Sequence, residues 1–166
     1  MNLIYLSLGS NLGDRETHLN EAKKLIRLRR IGSIEEESGI YESGAWGYSS
    51  ENLYYNCCVS MRTSLPPLRL MDTILEIENE MGRQRTGRGY SDRVIDIDLL
   101  FYGDRKLDHS RLVVPHPAIG DRRFVLAPMA EIAPGLVHPV HGKTMAEMLR
   151  SCPDPSVVTP IVSGSL

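Results

Sequence analysis
The order in which apolar residues change their spacing limits the fold of this 166-residue chain more than any other feature. Between residues 2 and 102 the period switches between two and about 3.6, giving strand, helix, strand, strand, helix, strand. Residues 2–8, NLIYLSL, read as a short buried strand. Asp14 then caps a helix over about 14–29, with Leu19, Ala22 and Ile26 on one face. Residues 33–42 carry three consecutive glutamates and suit an exposed or edge strand, and residues 43–52 read as a loop. Over 54–62 Tyr55, Cys57, Val59 and Met61 share one face, and Tyr54, Asn56, Cys58 and Ser60 the other. Ser64, Pro66 and Pro67 open a second helix, whose stripe is Leu68, Met71 and Leu75, widened by Ile74 and Met81, with Gly82 past its end. The last strand of the set covers 94–102.

This order predicts an α+β, ferredoxin-like β-α-β-β-α-β core, an antiparallel sheet with both helices on one face and the other face free. Residues 115–150 add short helical elements, the last opened by the capping box Thr144–Glu147. One domain over 1–152 is expected, followed by a loose tail over 153–166 rich in Pro, Ser and Val. Net charge is -2, which argues against a general nucleic-acid binder. Three cysteines, two of them adjacent, make no disulfide framework and suit reduced thiols in a cytoplasmic protein. Met1 runs directly into a strand, so neither a signal peptide nor a membrane span is expected.

The chemistry begins in RVIDIDLLFYG, residues 93–103. Alternation sends Ile95, Ile97, Leu99 and Phe101 to the core and leaves Asp96 and Asp98 side by side on the opposite face. Two like charges there need a positive partner. The preceding stretch, GRQRTGRGYSDR over 82–93, supplies Arg83, Arg85, Arg88 and Arg93 among glycines that let backbone approach a ligand. Alone, the arginines fit a solvated loop and the acids an exposed strand face. Together they describe a polyphosphate bound with Mg²⁺. No Walker A sequence is present, since GSNLGDR at 9–15 lacks the terminal Gly-Lys-Ser/Thr.

Two further clusters bear on binding. In VPHPAIGDRRFVL, residues 114–126, His116 lies between two prolines and close to Arg122, Arg123 and Phe124. A lone His or Phe is ordinarily solvated or packed; the two arginines favour a phosphate contact. In SGAWGYSSENLYYN, residues 43–56, the only tryptophan, Trp46, stands in a loop, where it suits an interface or a ligand lid. Tyr54 and Asn56 share the face opposite the core, where a ring to stack on and an amide with both donor and acceptor suit a flat heteroaromatic substrate. Ferredoxin-like RNA binders and metal-dependent phosphodiesterases are alternatives, as is a non-catalytic nucleotide sensor. The sheet-face acids count against RNA.

The ordered set LSLGSNLGDR, YESGAWG with YYN, E-x-x-M-G-R-x-R, RVIDIDLLFYG, VPHP and R-x-F-V-L-x-P-M-x-E-I-A-P resembles the 6-hydroxymethyl-7,8-dihydropterin pyrophosphokinases of folate biosynthesis over about residues 3–150. The resemblance implies a ferredoxin-like enzyme that moves a pyrophosphoryl group from ATP to the hydroxymethyl oxygen of a reduced pterin and releases AMP. It implies that Asp96 and Asp98 hold two Mg²⁺ ions and that Arg83 and Arg93 are catalytic. Glu78, Arg83, Arg85, Arg93, Arg111, His116 and Arg122 would serve ATP. Ser43, Gly44, Ala45, Trp46, Tyr54, Asn56, Asp96 and Phe124 would serve the pterin, with Tyr54 and Phe124 sandwiching it. It further implies a cytoplasmic monomer whose partners are these two small molecules. Three departures stand out. Ser43-Gly44-Ala45 replaces a proline-containing triplet and implies a more flexible loop. Asp92 replaces a proline and competes for the Arg93 guanidinium. Pro117 stands where some members carry Tyr, so an aromatic contact to adenine is missing.

Overall fold
The computed structural model describes residues 1–82 and 90–162. Strand β1 (Asn2–Ser10) is followed by α1 (Arg15–Leu28), β2 (Gly32–Glu37), β3 (Ile40–Ser43), β4 (Tyr54–Thr63), α2 (Pro67–Glu80) and β5 (Asp96–Tyr102). A small hairpin comes next, β6 (Leu107–His109) with β7 (Leu112–Val114), then α3 (Arg123–Ile132), α4 (Met145–Arg150) and β8 (Thr159–Ile161). The main sheet runs β5-β1-β4-β3-β8, with β2 also on β4, and its strand pairs are antiparallel. β2 and β3 lie one after the other along the same edge of β4, so the first five strands form the ferredoxin-like arrangement.

Local chemistry sets the helix limits. The Asp14 side chain accepts from the Thr17 amide at the start of α1. Pro67 begins α2, where its missing N–H leaves nothing unsatisfied, and Gly82 follows its end at φ 90°, a conformation costly for a side chain with a Cβ. Thr144 and Glu147 close the expected capping box around the start of α4. The buried line of α2 is Leu70, Ile74 and Ile77, of which the expected face included only Ile74; Leu68, Met71 and Leu75 are only partly buried. The single strand expected over 33–42 is broken in two. Ser38 bridges the gap, its N–H donating to the Cys58 carbonyl and its Oγ accepting from the Cys58 amide.

The sheet separates two cores. On one face Ile4, Leu6, Leu8, Cys57, Val59, Met61, Ile97 and Leu99 pack against Leu19, Ala22 and Ile26 of α1 and the buried line of α2. On the other, Tyr5, Cys58, Leu100 and Phe101 pack against Val125, Leu126 and Met129 of α3 and Met145 and Met148 of α4. Each fully buried aliphatic or aromatic side chain contributes roughly 2 kcal/mol. The second face is therefore not free, as expected from the sequence, but partly covered by α3 and α4. Phe101 is also on the opposite face from the one alternation assigns. The pairing skips Leu100 (Tyr5 faces Phe101, Leu6 faces Leu99), and this bulge reverses the parity beyond it. The C-terminal segment is not loose throughout, because β8 pairs with β3 through Thr159 opposite Glu42. Among the described residues no helix is long and apolar enough to cross a membrane.

Candidate active site
Where α3 and α4 stop covering the sheet, its outer face turns polar. Register explains why those side chains meet. Gly9 lies opposite Asp96 on one side and Asn56 on the other, and Ser7 lies opposite Asp98 and Cys58. Side chains at alternate positions share a face, so Ser7, Gly9, Tyr54, Asn56, Asp96 and Asp98 form one floor. A Cβ on Gly9 would come to 3.1 Å from Asn56 Oδ1 and 3.5 Å from the Tyr54 ring, so the missing side chain makes room for both.

Above this floor lies a pocket of about 470 Å³, open solvent at its mouth included. Ser43, Gly44 and Trp46 form one wall, and Arg122 and Phe124, at the start of α3, another. Ala45 is not among the lining residues, though both its neighbours are. Asn56 is 2% exposed and donates from Nδ2 to Ser43 Oγ at 2.8 Å, which fixes the amide plane. Trp46 donates from Nε1 to the Asp121 carbonyl, and the Arg122 guanidinium lies 4.6 Å above its ring. Sequence reasoning left out Ser7, Gly9, Tyr48 and Tyr90, which also line the pocket. The parity of β1 is a signal that could have found the first two. Tyr48 stacks on Tyr90 and shares a 2.7 Å hydrogen bond with Tyr54. Burial raises the phenol pKa of both Tyr48 and Tyr54, so both hydroxyls keep their protons at neutral pH.

The acids have their positive partners. Arg93 lies 3.3 Å from Asp96, and Arg122 lies 3.5 Å from Asp98. Arg122 is 7% exposed, and its Nε finds no hydrogen-bond partner among the described residues. The expected competition between Asp92 and Asp96 for Arg93 does not occur. Asp92 instead accepts from Asn11, Tyr48 and Asn52, and hydrogen bonds from Ser50 first, then from these three, hold its carboxyl below the usual range. Asn11 also exchanges hydrogen bonds with the Arg93 backbone: its Oδ1 accepts from the Arg93 N–H at 2.8 Å, and its own N–H donates to the Arg93 carbonyl at 3.1 Å.

A second cavity, about 490 Å³ with its open mouth, lies on the far side of Asp98 and includes Met71, Arg111, Leu112, His116 and Pro117. Asp98 lines both cavities. Arg111, on the tight turn of the β6–β7 hairpin, is ion-paired with Asp72. Burial, reinforced by the Arg122 charge, pushes the His116 imidazole down to about 4. His116 Nδ1 accepts from the Ala118 amide, so the neutral ring presents its proton at Nε2. Glu78 lines neither cavity; it is 1% exposed, and Oε2 accepts from the Ile97 amide at 2.9 Å. Arg83, Arg85 and Arg88 lie outside the described residues.

Two carboxylates two positions apart on one strand face are hard oxygen donors. Among the described residues no group of three or more His, Cys, Asp or Glu forms a protein-only cage. Mg²⁺ suits such a sparse set, since it is commonly held by one or two carboxylates with water and phosphate completing its shell. The donors at Asp96 and Asp98 therefore fit a magnesium ion that arrives with a polyphosphate.

The profile of the family described as 7,8-dihydro-6-hydroxymethylpterin-pyrophosphokinase (HPPK) matches residues 5–134. The 2-amino-4-hydroxy-6-hydroxymethyldihydropteridine pyrophosphokinase of Bacillus subtilis is 40% identical over 131 residues, covering 79% of this chain and 78% of that protein. Its namesake in Synechocystis is 40% identical over 161 residues, covering 96% and 80%. A solved HPPK-DHPS in complex with substrates superposes on 90% of this chain with a TM-score of 0.74 at 14% identity, and this chain spans 43% of its length. At that identity the likeness concerns the fold alone. With its matched residues running from β1 through the end of α3 and including every described side chain of the pocket, the chain belongs to the 7,8-dihydro-6-hydroxymethylpterin-pyrophosphokinase family.

Proposed function
We propose that the chain transfers the pyrophosphoryl group of ATP to the hydroxymethyl oxygen of 6-hydroxymethyl-7,8-dihydropterin, releasing AMP, as a step of folate biosynthesis. The observation that carries this reading is the position of Asp98 on the border of two cavities. One is aromatic and amide-lined, suited to a pterin; the other is lined by Arg111 and His116, which suit a nucleotide. Tyr54 and Phe124 stack on the pterin, Asn56 reads its edge, and Ser43, Gly44 and Trp46 close over it. Asp96 and Asp98 would hold two magnesium ions, which when bound would screen the phosphate charge that repels the incoming hydroxyl. Arg83 and Arg93 stabilise charge on the reacting phosphates as the bond breaks, and Arg85, Arg111, Arg122 and His116, which donates from Nε2, serve the ATP phosphates. Catalysis then comes mainly from positioning and electrostatics. The same reading takes residues 1–152 as the catalytic domain and the protein as a cytoplasmic monomer.

The test is AMP release. The purified protein with ATP and Mg²⁺ forms AMP only when the hydroxymethyl pterin is added, and Asp98→Ala lowers that turnover by about a hundredfold or more with the fold intact. AMP formed equally without the pterin, or an Asp98→Ala protein at near-parent turnover, defeats the reading.

A further inference from the structure
The segment after α4 has a use beyond the reading above, on which this inference rests. Residues 152–161 lie outside the stretch matched by the family profile. Asp154 is 7% exposed, and its Oδ2 accepts from the backbone N–H of Arg123 at 3.1 Å. The Arg123 side chain returns two bonds, Nε to the Asp154 carbonyl at 3.0 Å and a terminal nitrogen to the Cys152 carbonyl at 3.1 Å. Ser156 orients the carboxylate, donating to Oδ1 from its N–H at 3.0 Å and its hydroxyl at 2.6 Å. Arg123 is the first residue of α3, whose own N-cap, Arg122, offers no side-chain cap bond. Asp154 therefore does from a distance what an N-cap side chain does locally, and its negative charge complements the helix dipole.

The residues on either side of Arg123 are Arg122 and Phe124, both in the pocket wall. A few residues later β8 pairs with β3, placing Thr159 opposite Glu42, next to Ser43 at the head of the other wall. One short segment thus ties the two walls together. We infer that Cys152–Ile161 is a strap that sets the width of the pterin pocket, with Asp154 as a positioning residue acting through Arg123 on Arg122 and Phe124.

Steady-state kinetics and the emission of Trp46, the only tryptophan, test this together. Trp46 bonds Asp121 and lies under Arg122, so it reports the start of α3 without substrate. Asp154→Ala is expected to raise KM for the pterin about tenfold, to change kcat and KM for ATP by a smaller factor through Arg122, and to shift Trp46 emission to the red. Asp154→Asn, which keeps an acceptor for the Arg123 amide, restores the emission and brings the pterin KM to within about threefold of the parent. Unchanged emission and pterin KM in Asp154→Ala overturn the inference, as does a parallel loss in all three kinetic parameters that tracks the melting temperature. Should Asp154→Ala not fold, Ser156→Ala decides: a pterin KM raised about threefold supports the strap, and one equal to the parent overturns it. A parent protein with no pterin-dependent AMP release sinks the functional reading alone, because the emission comparison uses no substrate.

Discussion

Glu78 keeps a carboxylate almost out of water and faces the backbone amide that separates Asp96 from Asp98. β5 is an edge strand, so the outward N–H of Ile97 has no neighbouring strand to bond. Glu78 supplies the acceptor from α2 and so fixes the strand on which both acids stand. Glu78→Ala strands that amide in an apolar setting, a loss of about 1–3 kcal/mol. The melting temperature should fall by roughly 3–8 °C, and Glu78→Gln, which keeps an oxygen there, should lose less than half of that. Thermal unfolding of the two variants against the parent checks it, and equal stability of Glu78→Ala and the parent refutes it. Nothing in the local pattern of α2 marks Glu78 as buried. Its position follows from which face of the helix meets β5, a tertiary fact that periodicity places only to within a residue.

Asp92 works between elements. Through Asn11, Tyr48 and Asn52 it joins the turn after β1, the loop over 44–53 and the segment leading into β5. Arg93 follows it directly and is turned toward Asp96 with its backbone held by Asn11. Asp92→Ala leaves its donors, buried Asn11 among them, without their acceptor and loosens Arg93, so kcat should drop about tenfold and the melting temperature should fall by a few degrees. Parallel kinetics and calorimetry check it; a variant with parent kcat refutes the clasp. The element order, the antiparallel sheet and the floor residues on β4 and β5 were legible in the sequence because alternation fixes facing without reference to anything distant. Three features were not. The bulge at Leu100 adds one apolar residue to an apolar run and leaves no trace in composition. The β6–β7 hairpin is too short for its period to register. The docking of residues 152–161 depends on Arg123 and Asp154, 31 positions apart, and on an edge of β3 that only the folded sheet exposes.

At the scale of the molecule, two histidines couple both sides of the outer sheet face to pH. His116 stands at the second cavity, and His138 lies 4% exposed with its ring 5.5 Å from Phe101 in the outer core. Both are pushed down to about 4, His116 by burial and then the Arg122 charge, His138 by burial and then His141. Each accepts backbone N–H bonds at Nδ1, His116 from Ala118 and His138 from Val140 and His141, and protonation there would break them. In the unfolded chain both titrate near 6.5. Between pH 6.5 and about 4 the unfolded state therefore holds more protons than the native one, so stability rises with pH across that window. The contribution is complete above pH 6.5 and is lost as pH falls toward 4, about 1–2 kcal/mol apiece at pH 5 after discounting for solvent screening. His138→Asn keeps an acceptor near the place of Nδ1 but does not titrate, so it should remove about half of the drop in unfolding free energy between pH 7 and pH 5. Urea titrations of parent and variant at the two pH values measure it. A parent equally stable at both, or a variant with the parent's full drop, would show that these rings gain their protons in the folded state as readily as in the unfolded chain.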